Sequence, residues 1–460
     1  MLRKTASLVA AAALLAGCGA RAQIAPTAPA GTAPAAYTAQ SVYTPTIEGG
    51  RRPFMWGVST AGYQWEGGNI AAQWFLFEMA GKTPERAGKA ANGLNQYGED
   101  AQLARGMGLN AFRTSIEWSR IEPAKGRIDP AGVAFYHKLF QTLRANGLTP
   151  VVTLMHFSYP QWLEDMGGWE SGQSVDEFAR YAEFVSKEYG GEVDWWLTFN
   201  EPTVYLAGGY LAGMMPPGKK NPIAAIKAAT NFIASHKKAY DAIHRNDPVA
   251  NVSFNNYAAS YVIGNPNAAA PRTTQALDVN GDWMMNAMRG PRANGEGVRG
   301  RGYLDYIGVD YYCRWTLGLG AKFKMAWDWE IYPEGMYNTV KNYHRWFGLP
   351  VLVAENGMAT EDLKPRKDGW TREAYMVAHV KQMKRAMSEG VPVLGYIHWS
   401  ITDNWEWGSY SPRFGLYVVD CRNRDFRRVP TAGVDLYRQI VTNNGTTPAL
   451  EARFPAPTRG

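Results

Sequence analysis

Short runs of apolar and β-branched residues punctuate this chain at wide intervals, with polar, helix-patterned stretches between them. The runs are FMWGVS, NAFRTS, TPVVTL, VDWWLTF, ANVSFN, LDYIGVD, LPVLVA and VLGYIHW. Each is nearly continuous in apolarity rather than alternating, as expected of strands covered on both faces of a parallel sheet. The spacers carry the other period. SVDEFARYAEFVSKEYGG sets Phe178, Tyr181, Phe184 and Val185 on one stripe, with Ser174 and Glu177 spaced as a capping box and Gly190 at the close. REAYMVAHVKQMKRAMSEG sets Met376, Val380, Met383 and Met387 on another, ending at Gly390. Eight strand candidates alternating with helices over roughly 400 residues predict an α/β fold, a single (β/α)8 TIM barrel. The alternative is an open, doubly wound sheet, but no G-x-G-x-x-G follows the first strand.

Composition fits a large globular body: 460 residues, 46% of them hydrophobic and 19% charged. The net charge of +7 is spread along the chain rather than blocked, so no nucleic-acid partner is predicted. The densest basic stretch, RGPRANGEGVRGRG (Arg289 to Gly302), is glycine-rich and reads as a solvated loop. Contact with anionic lipid headgroups is the bolder reading. At the N-terminus, MLRK precedes the short apolar run LVAAAALLAG, too short for a stable span and shaped like a secretion signal. LAGC resembles the bacterial lipoprotein processing box, which implies a signal peptide at 1–17 and a lipidated, palmitate-type anchor on Cys18. Gly19 after that Cys is similar to cargo sent to the outer membrane. The expected location is therefore the bacterial cell envelope, with the chain lipid-anchored. Residues 18–50, rich in Ala, Pro and Thr, read as a flexible tether, 51–445 as the barrel, and 446–460 as a flexible tail. Cys313 and Cys421 are expected to remain free thiols.

A barrel of this kind carries its chemistry at the C-terminal ends of its strands. Those ends present Arg113 in FRTS, His156 in TLMHF, Asn200 and Glu201 in TFNEP, Tyr311 and Tyr312, Glu355 in AENG, and Trp399. TFNEP alone reads as an ordinary polar turn. Once Glu355 stands in an equivalent place three strands further round the ring, the two carboxylates face each other across one mouth. That is the arrangement needed to cleave a glycosidic bond. DVNGD lacks the later glutamate of a calcium loop and no H-E-x-x-H occurs, so no metal and no cofactor are predicted.

FMWGVSTAGYQWEGG, FRTSIEWSRIEP, VTLMHFSYPQWLEDMGGW, LTFNEP, GGYLAGMMPPG, DYIGVDYY, VLVAENGMA and GYIHWSITDNWEWGSYSPRFGLYVVD resemble, in order, the motifs of family 1 glycoside hydrolases across residues 51–440. The resemblance implies Glu201 as general acid/base, Glu355 as nucleophile, Arg113 and Tyr312 as its contacts, and Asn200 as donor to the sugar 2-hydroxyl. It also implies a glycone pocket of Gln64, His156, Trp399, Glu406 and Trp407. The function implied is a retaining exo-β-glycosidase acting on terminal glucosyl, galactosyl or fucosyl units of a β-glycoside or oligosaccharide. Glu406 would repel a 6-phosphate. The alternative is a transglycosylase using sugar or glycolipid acceptors, because parts of the sequence look closer to the branch related to a plant galactolipid galactosyltransferase. A non-catalytic sugar-binding lipoprotein would lack one of the two carboxylates. One departure stands out: Asp310 occupies a position where the family usually carries Asn.

Overall fold

The computed structural model describes residues 53–263, 282–290, 302–317 and 324–457, together with a short antiparallel pair at 46–47 and 50–51. Cys18, the signal at 1–17 and most of the tether lie outside the described residues. So do 291–301 of the basic stretch and 278–281 of DVNGD. Eight strands close into a parallel barrel: β1 Met55–Ser59, β2 Ala111–Ser115, β3 Thr149–Met155, β4 Trp195–Asn200, β5 Asn251–Tyr257, β6 Ile307–Asp310, β7 Val351–Asn356 and β8 Val393–Trp399. Each predicted apolar run supplies one strand, and β8 pairs with β1 to complete the ring.

Main helices follow the strands: α1 Gly93–Gly106, α2 Pro130–Ala145, α3 Gln173–Tyr189, α4 Pro222–Asn246, α5 Asp282–Arg289, α6 Glu334–Phe347, α7 Arg372–Ser388 and α8 Ala432–Thr442. Several starts are set by local chemistry. Asp129 before Pro130 accepts from the Ala131 N–H at 3.0 Å, and Asn221 before Pro222 accepts from Ile223 at 3.0 Å and Ala224 at 3.2 Å. A proline at the first helical position loses no hydrogen bond, while the preceding side chain satisfies an N–H left free by the first turn. The capping box expected at Ser174 and Glu177 does not form. The helix begins at Gln173, Ser174 Oγ donates to the Ser171 carbonyl at 2.7 Å, and Glu177 pairs with Lys125 and Arg180. The Ser171–Gly172 turn has already started the helix by then.

The alternation of side chains along each strand separates two apolar layers. Met55, Ala111, Val151, Trp195, Leu197, Leu352 and Ala354 form an inner cluster. Their sequence neighbours Trp56, Phe112, Val152, Trp196, Val351 and Val353 join the outer cluster with the helices. Burial on both faces is why the strands read as continuous apolar runs. Within the predicted flexible tail, 447–453 is structured. Pro448–Arg453 is a helix with Leu450 buried, and Glu451 pairs with Lys381 of α7 at 2.6 Å. Burial of Leu450 holds this segment, which composition alone does not reveal. Cys313 and Cys421 are buried free thiols, as expected. Arg289, assigned to the basic loop, instead ends α5 as a buried side chain over the Phe347 ring.

Candidate active site

Strand parity aims the first functional side chains. Arg113 lies two residues beyond inner Ala111, Thr153 two beyond inner Val151, and Asn255 two beyond Ser253. All three therefore point into the barrel mouth. Glu355 would break the rule, because Val351 and Val353 face outward and strict alternation would send Glu355 out with them. Here β7 is irregular: Val353 pairs with Val309, yet Glu355 pairs with Asp310, so two steps on β7 match one on β6. The strand β4 does the same against β5, with Leu197 opposite Ser253 and Asn200 opposite Asn255. Thr198 contacts His236 of α4 and Phe199 stacks on Phe178 of α3, so both face outward and Asn200 turns in. Extra residues of this kind bend a strand and re-aim its side chains. Glu201 then leaves β4 with φ at 38°, a left-handed conformation rare outside glycine, and its carbonyl starts the short helix Pro202–Tyr205. Phe157 and Trp407 adopt the same conformation beside it, a clustering of backbone strain typical of functional sites.

The centre is Arg113, fully buried. Nη1 donates to Glu355 Oε1, while Nη2 reaches Asn200 Oδ1 at 2.7 Å and the Thr153 hydroxyl and Asn255 Oδ1 at 3.1 Å each. A buried guanidinium needs such a partner set, because a desolvated charge left unpaired is costly. The other oxygen of Glu355 accepts from Tyr312 Oη at 2.5 Å. Both Glu355 oxygens are thereby held by donors. Glu201 has the opposite environment. Burial, then the charges of Asp310 and Glu355, push its carboxyl well above the usual range against the pull of Arg113. Oxygen atoms of Glu201, Asp310 and Glu355 lie within 4.8 Å of one another. Bare geometry would admit a cation there, but Arg113 already supplies the positive charge and contacts Glu355. The donor set suits proton sharing better.

A second group of residues packs beside this centre. The His156 ring lies nearly parallel to Trp399 and Trp407, with centroids 5.8 and 5.7 Å away. Burial, then Arg113, lower its pKa well below the usual range, so it is neutral. Trp399 Nε1 donates to Glu406 Oε1 at 3.0 Å, and Gln64 Nε2 donates to Glu406 Oε2 and Asn404 Oδ1 at 3.1 Å each. Desolvation, with the Glu355 charge adding to it, pushes Glu406 up to about 8. Gln64 Oε1 and His156 Nδ1 are buried without a protein partner, available to ligand hydroxyls. Gly357, just after Glu355, lets the chain pass Trp399: a Cβ there would meet the Trp399 carbonyl oxygen at 1.9 Å.

Ten residues singled out from the sequence meet at this mouth: Gln64, Arg113, His156, Asn200, Glu201, Tyr312, Glu355, Trp399, Glu406 and Trp407. Tyr311, also named at a strand end, turns outward instead, its hydroxyl donating to the Tyr332 carbonyl at 2.6 Å and its ring beside His379 of α7. Asn255, Thr153 and Asn404 were missed. Asn255 was findable in principle, since it stands at the end of the fifth apolar run, but an uncharged Asn in SFNN carries no mark of its own.

A family model described as glycosyl hydrolase family 1 matches residues 50–298 and 320–446. Beta-glucosidase A of Thermotoga maritima is 31% identical over 436 residues, covering 85% of this chain and 97% of the relative. The chloroplastic galactolipid galactosyltransferase of Arabidopsis thaliana is 30% identical over 380 residues, covering 76% of this chain but 57% of that protein. Among solved structures, the beta-glycosidase from Pyrococcus horikoshii aligns with a TM-score of 0.75 at 31% identity, covering 90% of this chain and 98% of that one. A (β/α)8 barrel with two carboxylates converging in its mouth and a family match over most of its length thus belongs to glycosyl hydrolase family 1, as an O-glycosyl hydrolase of β-glucosidase-like type.

Proposed function

We propose that this protein is a retaining, exo-acting β-glycosidase that removes terminal β-linked glucosyl, galactosyl or fucosyl units through a covalent glycosyl-enzyme. The observation that carries this reading is the close approach of Glu201 and Glu355, one oxygen of each within 4.8 Å, with Glu355 held by Arg113 and Tyr312 and burial raising the pKa of Glu201. An inverting enzyme separates its carboxyls by about 6.5–9.5 Å to seat a water between them, whereas a retaining one brings them to about 5–5.5 Å. In the proposed reaction Glu355, oriented by Arg113 and Tyr312, attacks the anomeric carbon while Glu201 gives its proton to the departing oxygen. Water, activated by Glu201, then releases the sugar. Asn200 donates to the 2-hydroxyl, and its own oxygen is fixed by Arg113. Trp399 offers the sugar a flat apolar face, and Gln64, His156 and Glu406 take the ring hydroxyls.

The test is Glu355→Gly assayed on a panel of aryl β-glycosides. Turnover should fall on the order of 10³-fold or more, as when a covalent nucleophile is removed. Azide should restore it and yield the α-glycosyl azide. Full activity in this variant would sink the assignment. A second reading is transfer of the glycosyl unit to a sugar or glycolipid, favoured by the likeness to a relative named as a galactolipid galactosyltransferase. Both readings share every step up to the intermediate. Chromatography of wild-type products in the presence of galactolipid separates them, since free sugar alone would count against transfer. The proposal includes a place in the cell: a lipid on Cys18 holding the barrel to the bacterial outer membrane through the 18–50 tether.

A further inference from the structure

The reaction proposed above uses two carboxylates, but the site holds three. Asp310, at the end of β6, is fully buried. Its Oδ2 accepts from Asn255 Nδ2. Its Oδ1 is buried too and receives no hydrogen bond from any fixed donor of the protein. Beside Asp310 stands the carboxyl of Glu201, in the cluster whose oxygens lie within 4.8 Å of one another. An unpartnered buried carboxylate oxygen is costly, so this geometry asks for a donor. One arrangement supplies it: a proton on Glu201, hydrogen-bonded to Asp310 Oδ1. The surrounding groups agree. Arg113 from β2 is committed to Glu355, Asn200, Thr153 and Asn255 and makes no hydrogen bond to Asp310. Tyr312 gives its hydroxyl to Glu355, and His156 from β3 is neutral. Glu355 on β7 is the remaining charge, and it disfavours a second and third anion beside it.

We propose that Asp310 is a positioning residue that shares one proton with Glu201, holding it ready for the leaving group and drawing a proton back to Glu201 afterwards. In the first half-reaction the Glu201 O–H bond breaks, its proton goes to the glycosidic oxygen, the C1–O bond opens and the C1–Glu355 bond forms. Glu201 is then an anion beside the Asp310 anion. Repulsion between them strengthens Glu201 as a base. In the second half-reaction water (or an acceptor hydroxyl) attacks C1, its proton returns to Glu201, and the C1–Glu355 bond breaks. An amide in place of the Asp310 carboxylate would reverse the contact. It would donate an N–H to Glu201 and favour the ionised acid.

The kinetic part of the test rests on the acid/base role proposed above, but the spectroscopic part does not. Infrared difference titration of the full chain should reveal a protonated carboxyl that survives above pH 7 and disappears in Glu201→Gln. In Asp310→Asn its titration should move down by about 1–2 pH units, the size expected for removing an adjacent like charge. The basic limb of kcat/KM on an aryl β-glycoside should move down by a similar amount. Absence at pH 7 of a band that depends on Glu201, or a Glu201-dependent band unmoved in Asp310→Asn, overturns the shared proton. A loss of activity equal at every pH, with the limb in place, also overturns it, since Asp310 would then be merely structural. Calorimetry with MnCl₂ or CaCl₂ is a further check: binding lost in Asp310→Asn would make the cluster a cation site and overturn the proposal. If the band behaves as expected but no β-glycoside turns over, the glycosidase reading fails and the shared proton stands.

Discussion

Asn255 performs no step of the proposed reaction, yet three polar groups of the site meet on it. Its Oδ1 accepts from Arg113 at 3.1 Å, and its Nδ2 reaches Asn200 Oδ1 at 2.6 Å and Asp310 Oδ2. Asn255→Ala would leave these groups buried with fewer partners, costing about 1–3 kcal/mol of stability. It would also let Arg113 and Asn200 drift, and a displacement of about 1 Å typically costs about 100-fold in rate. The expected outcome is kcat/KM down by that order in a variant that still unfolds cooperatively. Activity within threefold of wild type would show that the network positions nothing. At this scale Arg113, His156, Glu201, Tyr312, Glu355 and Trp399 were legible in the sequence because each stands at or just after the end of an apolar run, whereas Gln64, Glu406 and Trp407 were legible only through the family resemblance. Asn255 and Thr153 were not, because their importance lies only in what they touch.

Among elements, the loops at the barrel mouth depend on charge as much as on packing. Arg422 bridges the loop after β1 and the loop after β7. Its Nε lies 2.6 Å from Glu85 Oε1 and its Nη1 lies 2.7 Å from Asp362 Oδ1. Glu85 in turn accepts from the Ser409 hydroxyl and the Tyr410 N–H at 2.9 and 2.8 Å, tying in the segment after β8. Arg422 above all, with these donors, holds Glu85 down at about 2. A carboxylate depressed in the fold contributes stability above its unfolded value, about 4.3, and loses it as pH falls through the folded value. Arg422→Ala should therefore cost about 1 kcal/mol at pH 7, since the pair is partly exposed and screened. Urea unfolding should show that gap closing between pH 4.3 and pH 2, and a gap constant with pH would refute the linkage. Asp129 and Asn221 cap α2 and α4, two helices whose starts the sequence patterns did not single out. The box at Ser174 failed because a turn two residues earlier had already begun the helix.

At the scale of the whole molecule, the proposed anchor places the barrel at a lipid surface. No helix among the described residues is long and apolar enough to cross a membrane. Attachment would then rest on Cys18. Cys18→Ser should move the protein from a detergent-requiring membrane fraction to the soluble fraction and abolish incorporation of labelled palmitate. A wild-type chain that is already soluble and unlabelled would refute the anchor. The net charge of +7 favours an anionic surface but is too diffuse to hold the protein there alone.

The sequence by itself determined the barrel, since eight two-faced apolar strands separated by amphipathic helices have few other ways to bury their surface. It also named the residues that stand at the strand ends. Only the tertiary structure decided which way two of those ends point. Glu355 and Asn200 face the mouth because β7 and β4 each slip by one residue against a neighbouring strand. Such a slip depends on pairing between strands far apart in the chain, so no local string records it. The encounter of Asp310 with Glu201 has the same origin, two strand ends joined through the ring rather than along the sequence.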